Sequence, residues 1–356
     1  MAGKIVLVER GVCTFAVKAA FAKAKGAVAT VIFTDDRPLA GGTLGAEGDW
    51  PLTAMIARAP GLALVEKLKA GPITATFVIT TLTRPTRNVI AQTKGGDQTN
   101  VIVSGAHSDS VPAGPGINDN GSGSIAQLEI AKHLTKYSVN NAVRFAWWTA
   151  EEVGLVGSTR YVESLNATEL AKIGLYLNFD MIASPNYVYA IYDGDGNAFN
   201  ISGPPGSGPI EKLFEDYFTN DAGLNHVPTA FTSRSDYAAF AAAGVPVGGL
   251  FTGAEQLKTV EEQRLFGGKA GVAYDVNYHQ AGDTVQNLNV GAWIQNSKAI
   301  AHAIATYARS TVSLGLGKRE EHIAKRSSYV QELPAEDDHV SHSVGGGCSH
   351  APLDEA

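Results

Sequence analysis

Side chains able to bind a metal ion follow three strand-like segments of the sequence. They are His107, Asp109 and Asp119 after the apolar run 101–103, Glu151 and Glu152 after the run 142–148, and Asp180 after the run 174–179. In open α/β sheets, ligands lie beyond the carboxyl ends of the strands. We therefore expect these six side chains to gather at one edge of a sheet.

A single acidic residue at a strand end is most often a helix cap or a turn residue. Three strands that end in the same way at the same edge are harder to explain by turns. Several carboxylates at one edge repel each other unless a cation or a proton neutralises them. A bound cation explains the whole cluster better than a set of independent turns does.

Histidine and carboxylate ligands suit Zn²⁺, with Mn²⁺ or Co²⁺ as alternatives. A single catalytic zinc needs three protein ligands and a water. The candidates here exceed three, and "YHQAGDT" adds a second imidazole, His279. Two metal ions about 3.5–4 Å apart, as in aminopeptidases and phosphatases, then become plausible.

Composition limits the kind of protein. The 356 residues are 44% hydrophobic, and no apolar run is long enough to cross a bilayer. The net charge of -7 argues against nucleic acid or an anionic membrane as the main partner. The two cysteines, Cys13 and Cys348, provide no disulfide framework, and their separation argues against a bridge between them.

Strand-like and helix-like segments alternate along the chain, which predicts a mostly parallel sheet covered on both faces. A small α/β unit comes first, with strands at 4–8, 27–33 and 76–82 and an apolar helix face formed by Leu62, Val65 and Leu68. The runs 89–91 and 101–103 are expected to pair as strands. The later helices are expected at 122–137, 209–217, 235–242 and 290–309, the first with Ile125, Leu128, Ala131 and Leu134 on one side.

Five motifs occur in the order found in the co-catalytic zinc aminopeptidases, which the sequence resembles from about residue 88 to 289. They are "GAHSDSVPAGPGINDNGSG", "RFAWWTAEEVGLVGS", "LNFDMI", "SRSDYAAFAAAGVPVGGLFTG" and "YHQAGDT". The earlier stretch "GKIVLVERGVCTFAVKAAFAKAKGA" resembles a protease-associated domain. The resemblance implies a three-layer α/β/α zinc-exopeptidase fold plus a small α/β domain. The expected boundaries are 1–84 for the protease-associated domain, 85–312 for the catalytic domain and 313–356 for a disordered tail.

The resemblance also implies a role for each site residue. His107 and Asp180 bind one zinc ion, Glu152 and His279 bind the other, and Asp119 bridges the two, which gives two zinc ions per chain. Glu151 is the general base, Asp109 orients His107, and Tyr278 stabilises the oxyanion. Relatives that bracket the second histidine with cysteines differ from this chain, so its loop must be held in another way.

The implied function is release of N-terminal, Leu-like residues from peptides by a monomeric enzyme that binds neither nucleic acid nor membrane. The implied location is extracellular or vacuolar, with N-glycosylation sequons at Asn166 and Asn200. Because relatives carry a segment before the protease-associated domain, we expect the N-terminus to be incomplete. Three alternatives stay open: a glutaminyl cyclase-like enzyme, a carboxypeptidase-like enzyme and an inactive binding homologue.

Overall fold

The computed structural model of the protein describes residues 1–11, 13–36, 42, 44, 49–76, 78 and 84–315. These residues form two compact units, one within Met1–Pro85 and one from Thr86 onward. Among the described residues, none of the helices combines the length and apolar character that a bilayer span requires. The expected C-terminal tail lies almost entirely outside the described residues.

The first unit is a three-stranded parallel sheet with two helices. Its elements are β1 (Ile5–Glu9), α1 (Phe15–Ala24), β2 (Ala29–Phe33), β3 (Leu52–Ile56) and α2 (Arg58–Ala70). The strand order is β1-β2-β3. Thr14 caps α1 by accepting a hydrogen bond from the backbone N–H of Val17.

Three expectations for this unit need comment. The apolar face predicted for α2 is wrong, since Leu62 is 42% exposed and Leu68 45% exposed. The helix instead packs through Gly61, where a Cβ would lie 2.2 Å from Phe33, so close contact with β2 requires glycine.

The expected strand at 76–82 lies largely outside the described residues. Cys13 is disulfide-bonded, so the argument against a bridge was wrong for this residue.

The second unit contains seven strands and seven α-helices among its described residues. The strands are β4 (Val89–Gln92), β5 (Asp97–His107), β6 (Asn141–Trp148), β7 (Ile173–Phe179), β8 (Ala190–Tyr192), β9 (Val227–Thr229) and β10 (Val247–Phe251). The helices are α3 (Gly123–Leu134), α4 (Val156–Ser164), α5 (Ala167–Ala171), α6 (Ser207–Asp216), α7 (Tyr237–Ala242), α8 (Val260–Phe266) and α9 (Val290–Arg309).

The strand order of the second sheet is β4-β6-β5-β7-β10-β8-β9. Strands β6, β5, β7 and β10 are parallel neighbours, while β4 is antiparallel to β6 and β8 is antiparallel to β10. The expected pairing of β4 with β5 is therefore wrong, because β6 lies between them. The mostly parallel sheet is confirmed.

Side chains alternate between the two faces of this sheet, as strand geometry requires. On one face, Phe179 of β7 packs with Phe214 of α6 and Ile300 of α9. On the other face, Trp148 of β6 and Tyr176 of β7 pack with α4 and α7. The predicted three-layer α/β/α arrangement is confirmed.

The predicted apolar side of α3 is only partly correct. Ile125 is 51% exposed and Leu128 43% exposed, whereas Ala126 and Gln127 are buried. The short strands β8 and β9 and the helices α5 and α8 were not expected. Each has at most seven residues, too few to show a clear hydrophobic period.

Candidate metal centre

The expected site residues lie at the carboxyl ends of three adjacent parallel strands. His107 is the last residue of β5, Asp180 directly follows β7, and Glu151 and Glu152 follow β6 within four residues. Asp119 lies in an irregular helical turn, Ile117–Ser122, between β5 and α3. The strand order β6-β5-β7 brings these segments together.

The first group of side chains surrounds the imidazole of His107. Its Nε2 lies 3.1 Å from Asp180 Oδ1 and 3.1 Å from Asp119 Oδ1. Its Nδ1 lies 3.1 Å from the main-chain carbonyl of Asp109, which can only accept a hydrogen bond, so the Nδ1 atom carries the proton. With Nδ1 directed at this carbonyl, Nε2 is the ring atom that faces the two carboxylates; it donates to them when protonated and can bind a metal ion when deprotonated.

The second group surrounds His279, which comes from the loop between α8 and α9. Its Nε2 lies 2.9 Å from Glu152 Oε2 and 3.1 Å from Asp119 Oδ2. The two oxygens of Asp119 thus face different histidines, Oδ1 toward His107 and Oδ2 toward His279. This arrangement would allow one carboxylate to contact two cations.

The residues fit metal ions. Two ligands of one tetrahedral zinc are separated by about 3.3 Å, given bonds of about 2.0–2.1 Å, and the observed nitrogen–oxygen separations are 2.9–3.1 Å. The Oε1 atom of Glu152 is buried and makes no hydrogen bond, and the buried Nε2 atom of His279 lies near two carboxylate oxygens without the angles of a hydrogen bond. A cation placed among these atoms would satisfy them and offset the repulsion between the carboxylates.

Electrostatics of the metal-free chain show how strongly the groups interact. Burial lowers the pKa of His107, but the carboxylates of Asp180 and Glu151 outweigh it and hold that pKa well above its usual value. Burial also lowers the pKa of His279, and its contacts with Asp119 and Glu152 raise it to about 9. Without metal, protons therefore compensate the carboxylates that a cation would otherwise neutralise.

Glu151 lies beside the first group. It is 8% exposed, and one of its oxygens lies within 4.8 Å of ligand atoms of both His107 and Asp180. Burial raises the pKa of Glu151 well above its usual value, His107 opposes the rise, and Asp180 adds to it. A buried carboxyl group with a raised pKa can accept and return a proton near neutral pH.

Asp109 makes contacts that differ from its expected role. Its carboxylate accepts the backbone N–H of Glu151 at 3.0 Å and that of Glu152 at 3.2 Å. The Oδ1 atom is 3.8 Å from His107 Nδ1, too far for a hydrogen bond. The main-chain carbonyl of Asp109 orients His107, while the carboxylate holds the Glu151–Glu152 turn.

A chain of buried hydrogen bonds ends at Asp180, and the sequence analysis missed it. Trp148 Nε1 donates to Tyr176 Oη (3.0 Å), which donates to Asn178 Oδ1 (3.0 Å). Asn178 Nδ2 donates to Ser235 Oγ (2.9 Å), which donates to Asp180 Oδ2 (2.7 Å). A polar Asn178 within the otherwise apolar strand β7 was the available signal.

Tyr278 stacks on the ring of His279, with ring centroids 3.8 Å apart. Arg234 donates to Tyr278 Oη at 3.3 Å and forms two hydrogen bonds with Glu255. Burial raises the pKa of Tyr278, so its hydroxyl stays protonated at neutral pH. Because Arg234 occupies an acceptor position of this hydroxyl, the Tyr278 proton is available to another group.

Asp236 is a further buried carboxyl group near the first group of side chains, and no sequence motif indicated a role for it. It is 1% exposed, and neither oxygen has a hydrogen-bond partner by distance and angle. Burial raises its pKa to about 7, while nearby His107 lowers it. This carboxyl group lies close enough to His107 and Asp180 to influence the charge of the first group.

Relatives named as leucine aminopeptidases resemble the chain over nearly its whole length. It is 52% identical to a probable leucine aminopeptidase 2 from Aspergillus fumigatus, over 98% of this chain and 70% of that protein. It is 54% identical to leucine aminopeptidase 2 from Trichophyton rubrum, over 98% of this chain and 68% of that protein.

Solved structures agree on the fold. An aminopeptidase from Aneurinibacillus sp. strain AM-1 superposes with a TM-score of 0.66 at 27% identity, covering 87% of this chain and 70% of that one. A zinc aminopeptidase from Bacillus subtilis gives a TM-score of 0.66 at 22% identity, covering 90% of this chain and 72% of that one. Residues 1–64 match the PA domain, and residues 88–304 match peptidase family M28. The chain belongs to peptidase family M28.

Proposed function

We propose that this protein is a zinc-dependent aminopeptidase that releases apolar, Leu-like residues from the N-termini of peptides. Its family and its leucine aminopeptidase relatives support hydrolysis of peptides at the N-terminus. The observation that carries the two-metal form of the proposal is the placement of Asp119 between His107 and His279. We assign this chemistry to residues 85–312 and the protease-associated domain to residues 1–84.

Five side chains would hold the metal ions. His107 and Asp180 belong to one zinc, Glu152 and His279 to the other, and Asp119 to both. When bound, zinc lowers the pKa of a coordinated water toward about 7 and polarises the substrate carbonyl.

Glu151 is the proposed general base. Its carboxylate takes a proton from the attacking water and returns it to the departing amine, so the same group acts twice in one turnover. Asp109 keeps Glu151 in place by accepting its backbone N–H. Burial and nearby carboxylates favour the protonated form of Glu151 that the second step needs.

Tyr278 is the proposed donor to the oxyanion that develops on the scissile carbonyl. Arg234 donates to its hydroxyl oxygen, which leaves the Tyr278 proton free for that oxyanion. The stacking of Tyr278 on His279 fixes the direction of the ring. A fixed donor needs little rearrangement when charge develops in the transition state.

The charge of the site favours substrates with a free α-ammonium group. The site holds four carboxylates, Asp119, Asp180, Glu151 and Glu152, and their negative charge favours a cationic group on the substrate. Arg234 contacts Tyr278, and its charge is already paired with Glu255. Recognition of a substrate carboxylate is therefore less well supported than recognition of an amine.

The remaining parts of the proposal concern the whole protein. We propose an extracellular or vacuolar, monomeric glycoprotein that binds neither nucleic acid nor membrane, in line with its net charge of -7. Asn166 and Asn200 are both exposed. Asn166 caps α5 through its side-chain oxygen, which leaves its amide nitrogen available for a glycan. A mass shift at either asparagine that glycosidase removes would support this part.

The test of the proposed function compares leucine p-nitroanilide with its N-acetylated form. The proposal predicts cleavage of the free substrate and none of the blocked one. Cleavage of a C-terminal residue from N-blocked peptides would favour a carboxypeptidase, and conversion of N-terminal glutamine to pyroglutamate would favour a glutaminyl cyclase. No turnover of either kind by the zinc-loaded chain would favour an inactive binding protein.

A further inference from the structure

The loop that carries His279 is held by two buried carboxylates. Asp275 precedes His279 and Asp283 follows it, and each is 2% exposed. Some relatives place cysteines on either side of this histidine. In this chain, hydrogen bonds to Asp275 and Asp283 hold the loop instead. His279 itself has φ 55°, in the left-handed region that non-glycine residues rarely adopt. Such a conformation persists only where the surroundings fix it.

Asp283 contacts the segment that carries the bridging carboxylate. Its Oδ1 accepts the backbone N–H of Asn118 at 2.8 Å, and its Oδ2 accepts that of Asp119 at 3.1 Å. The main-chain carbonyl of Asp283 accepts the N–H of Ile117 at 3.2 Å. One residue of the His279 loop thus binds three consecutive backbone N–H groups of the Asp119 segment.

Asp275 extends the same network. It accepts Asn118 Nδ2 at 2.7 Å, Asn287 Nδ2 at 2.9 Å and the backbone N–H of Asn277 at 2.8 Å. Asn287 also donates to Asp283 at 3.3 Å. The polar atoms of this network are paired with one another, so it is rigid rather than a binding site of its own.

The network joins two segments whose side chains meet at the second cation position. His279 Nε2 and Asp119 Oδ2 are 3.1 Å apart, while His107 is held separately by the carbonyl of Asp109. A shift of Asp283 therefore changes the spacing of Asp119 and His279 more than the spacing of His107 and Asp180. Hydrogen-bond partners of metal ligands typically alter metal affinity or activity by 10- to 100-fold.

We propose that Asp283 is a positioning residue that sets the spacing between Asp119 and His279 and thereby the affinity of the second zinc position. The proposal rests on the two-metal form of the proposed function. Asp283 does not touch either metal position; it acts through the backbone of the Asp119 segment.

The test is a zinc titration of the chelator-stripped full chain against a chromophoric chelator, with variants Asp283→Asn and Asp193→Asn. Asp193 is the matched control. It is fully buried and accepts the backbone N–H groups of Gly196, Ala198 and Phe199. It lies outside the candidate site, in a separate acidic group with Asp195 and Glu211, so zinc bound there is counted apart from the two positions. Asparagine at 283 keeps one acceptor but points an N–H group at a backbone N–H.

We expect Asp283→Asn to weaken the second zinc position by about 10- to 100-fold and the first, which shares Asp119 but keeps His107 and Asp180 in place, by a clearly smaller factor. Hydrolysis of leucine p-nitroanilide by this variant should recover at saturating zinc. Asp193→Asn should lower the melting temperature and leave both zinc affinities within about threefold of wild type. Asn287→Ala, which loosens Asp283 without removing it, should weaken the same position by a smaller factor and serves if Asp283→Asn does not fold.

Among the variants, three results would overturn the inference. They are unchanged zinc affinities in both the Asp283 and Asn287 variants, equal weakening of both zinc positions by Asp283→Asn, and a loss of zinc affinity in Asp193→Asn as large as that in Asp283→Asn. A wild type that cleaves the substrate with one zinc would also overturn it while the aminopeptidase proposal stands. A wild type that binds two zinc ions and cleaves nothing would contradict the proposed function, and the titration would still decide the role of Asp283.

Discussion

Replacing Asp109 by alanine tests whether its carboxylate positions the Glu151–Glu152 turn or the imidazole of His107. The structure shows its carboxylate on the backbone N–H groups of Glu151 and Glu152, whereas its carbonyl, which the substitution keeps, contacts His107. We therefore expect Asp109→Ala to disturb the Glu151–Glu152 turn and to leave His107 in place. If the carboxylate instead oriented His107, the first metal position would be lost.

The size of the effect follows from two hydrogen bonds to an ionised group. Each contributes about 1.5–3 kcal/mol when well shielded. The Asp109 side chain is 24% exposed, so water can replace part of the interaction. We expect the free energy of unfolding of metal-free Asp109→Ala to fall by about 2–3 kcal/mol, and kcat to fall by about 10- to 100-fold because the base is less well placed.

The assay combines urea unfolding of the metal-free chain with kinetics on leucine p-nitroanilide at saturating zinc. Asp97→Ala is the matched control. Asp97 is exposed at the opposite end of β5 and also accepts a backbone N–H, that of Thr99 at 2.8 Å. We expect Asp97→Ala to keep wild-type kcat and to lose less stability than Asp109→Ala.

Two outcomes would refute this reasoning. One is a kcat for Asp109→Ala within twofold of the wild type, because the carboxylate would then not position the base. The other is selective loss of the zinc bound by His107 with kcat restored at high zinc, because the carboxylate would then act on the imidazole.

Three further predictions follow from the buried groups. Glu151→Gln should lower kcat by about 10²- to 10⁴-fold while inductively coupled plasma measurements still find the wild-type zinc content. Phe240→Ala removes a fully buried ring stacked 4.0 Å from Tyr176 and should lower the free energy of unfolding by about 3–5 kcal/mol in urea; a loss below about 1 kcal/mol would contradict the packing. Burial raises the pKa of Glu211 from 4.5 to about 7. Between pH 4.5 and 7 the folded state then holds a proton that the unfolded state releases, so stability should fall as the pH rises through this range. In thermal unfolding, Glu211→Gln should flatten this pH dependence and melt at a higher temperature than the wild type at pH 8.

The candidate metal residues could be predicted because they follow the strands at fixed places. His107, Asp180 and the Glu151–Glu152 pair each come directly after an apolar run, and parallel neighbours end at one edge. The structure brings them together, and their individual roles stay predictions. The motif "YHQAGDT" supplied His279 as a candidate ligand, but only the resemblance to the aminopeptidases gave it a role, because no strand pattern could assign the position of its loop.

Contacts made by polar groups through space could not be predicted in the same way. The carboxylate of Asp109 bonds to backbone 42 residues further along the chain, and that of Asp283 to backbone 165 residues away. Neither the type of these residues nor their spacing indicates such a partner. The pairing of β4 with β6 escaped prediction for a related reason, since strand order depends on packing of the whole sheet.

The most direct test of the central claim is the rate of leucine p-nitroanilide hydrolysis by the metal-free chain as zinc is added, with bound zinc measured at each point. The proposed function predicts no hydrolysis without metal, a rise with added zinc and a maximum at two bound zinc ions per chain. Full activity in the metal-free chain, or with a single bound zinc and no further change, would contradict the two-metal account.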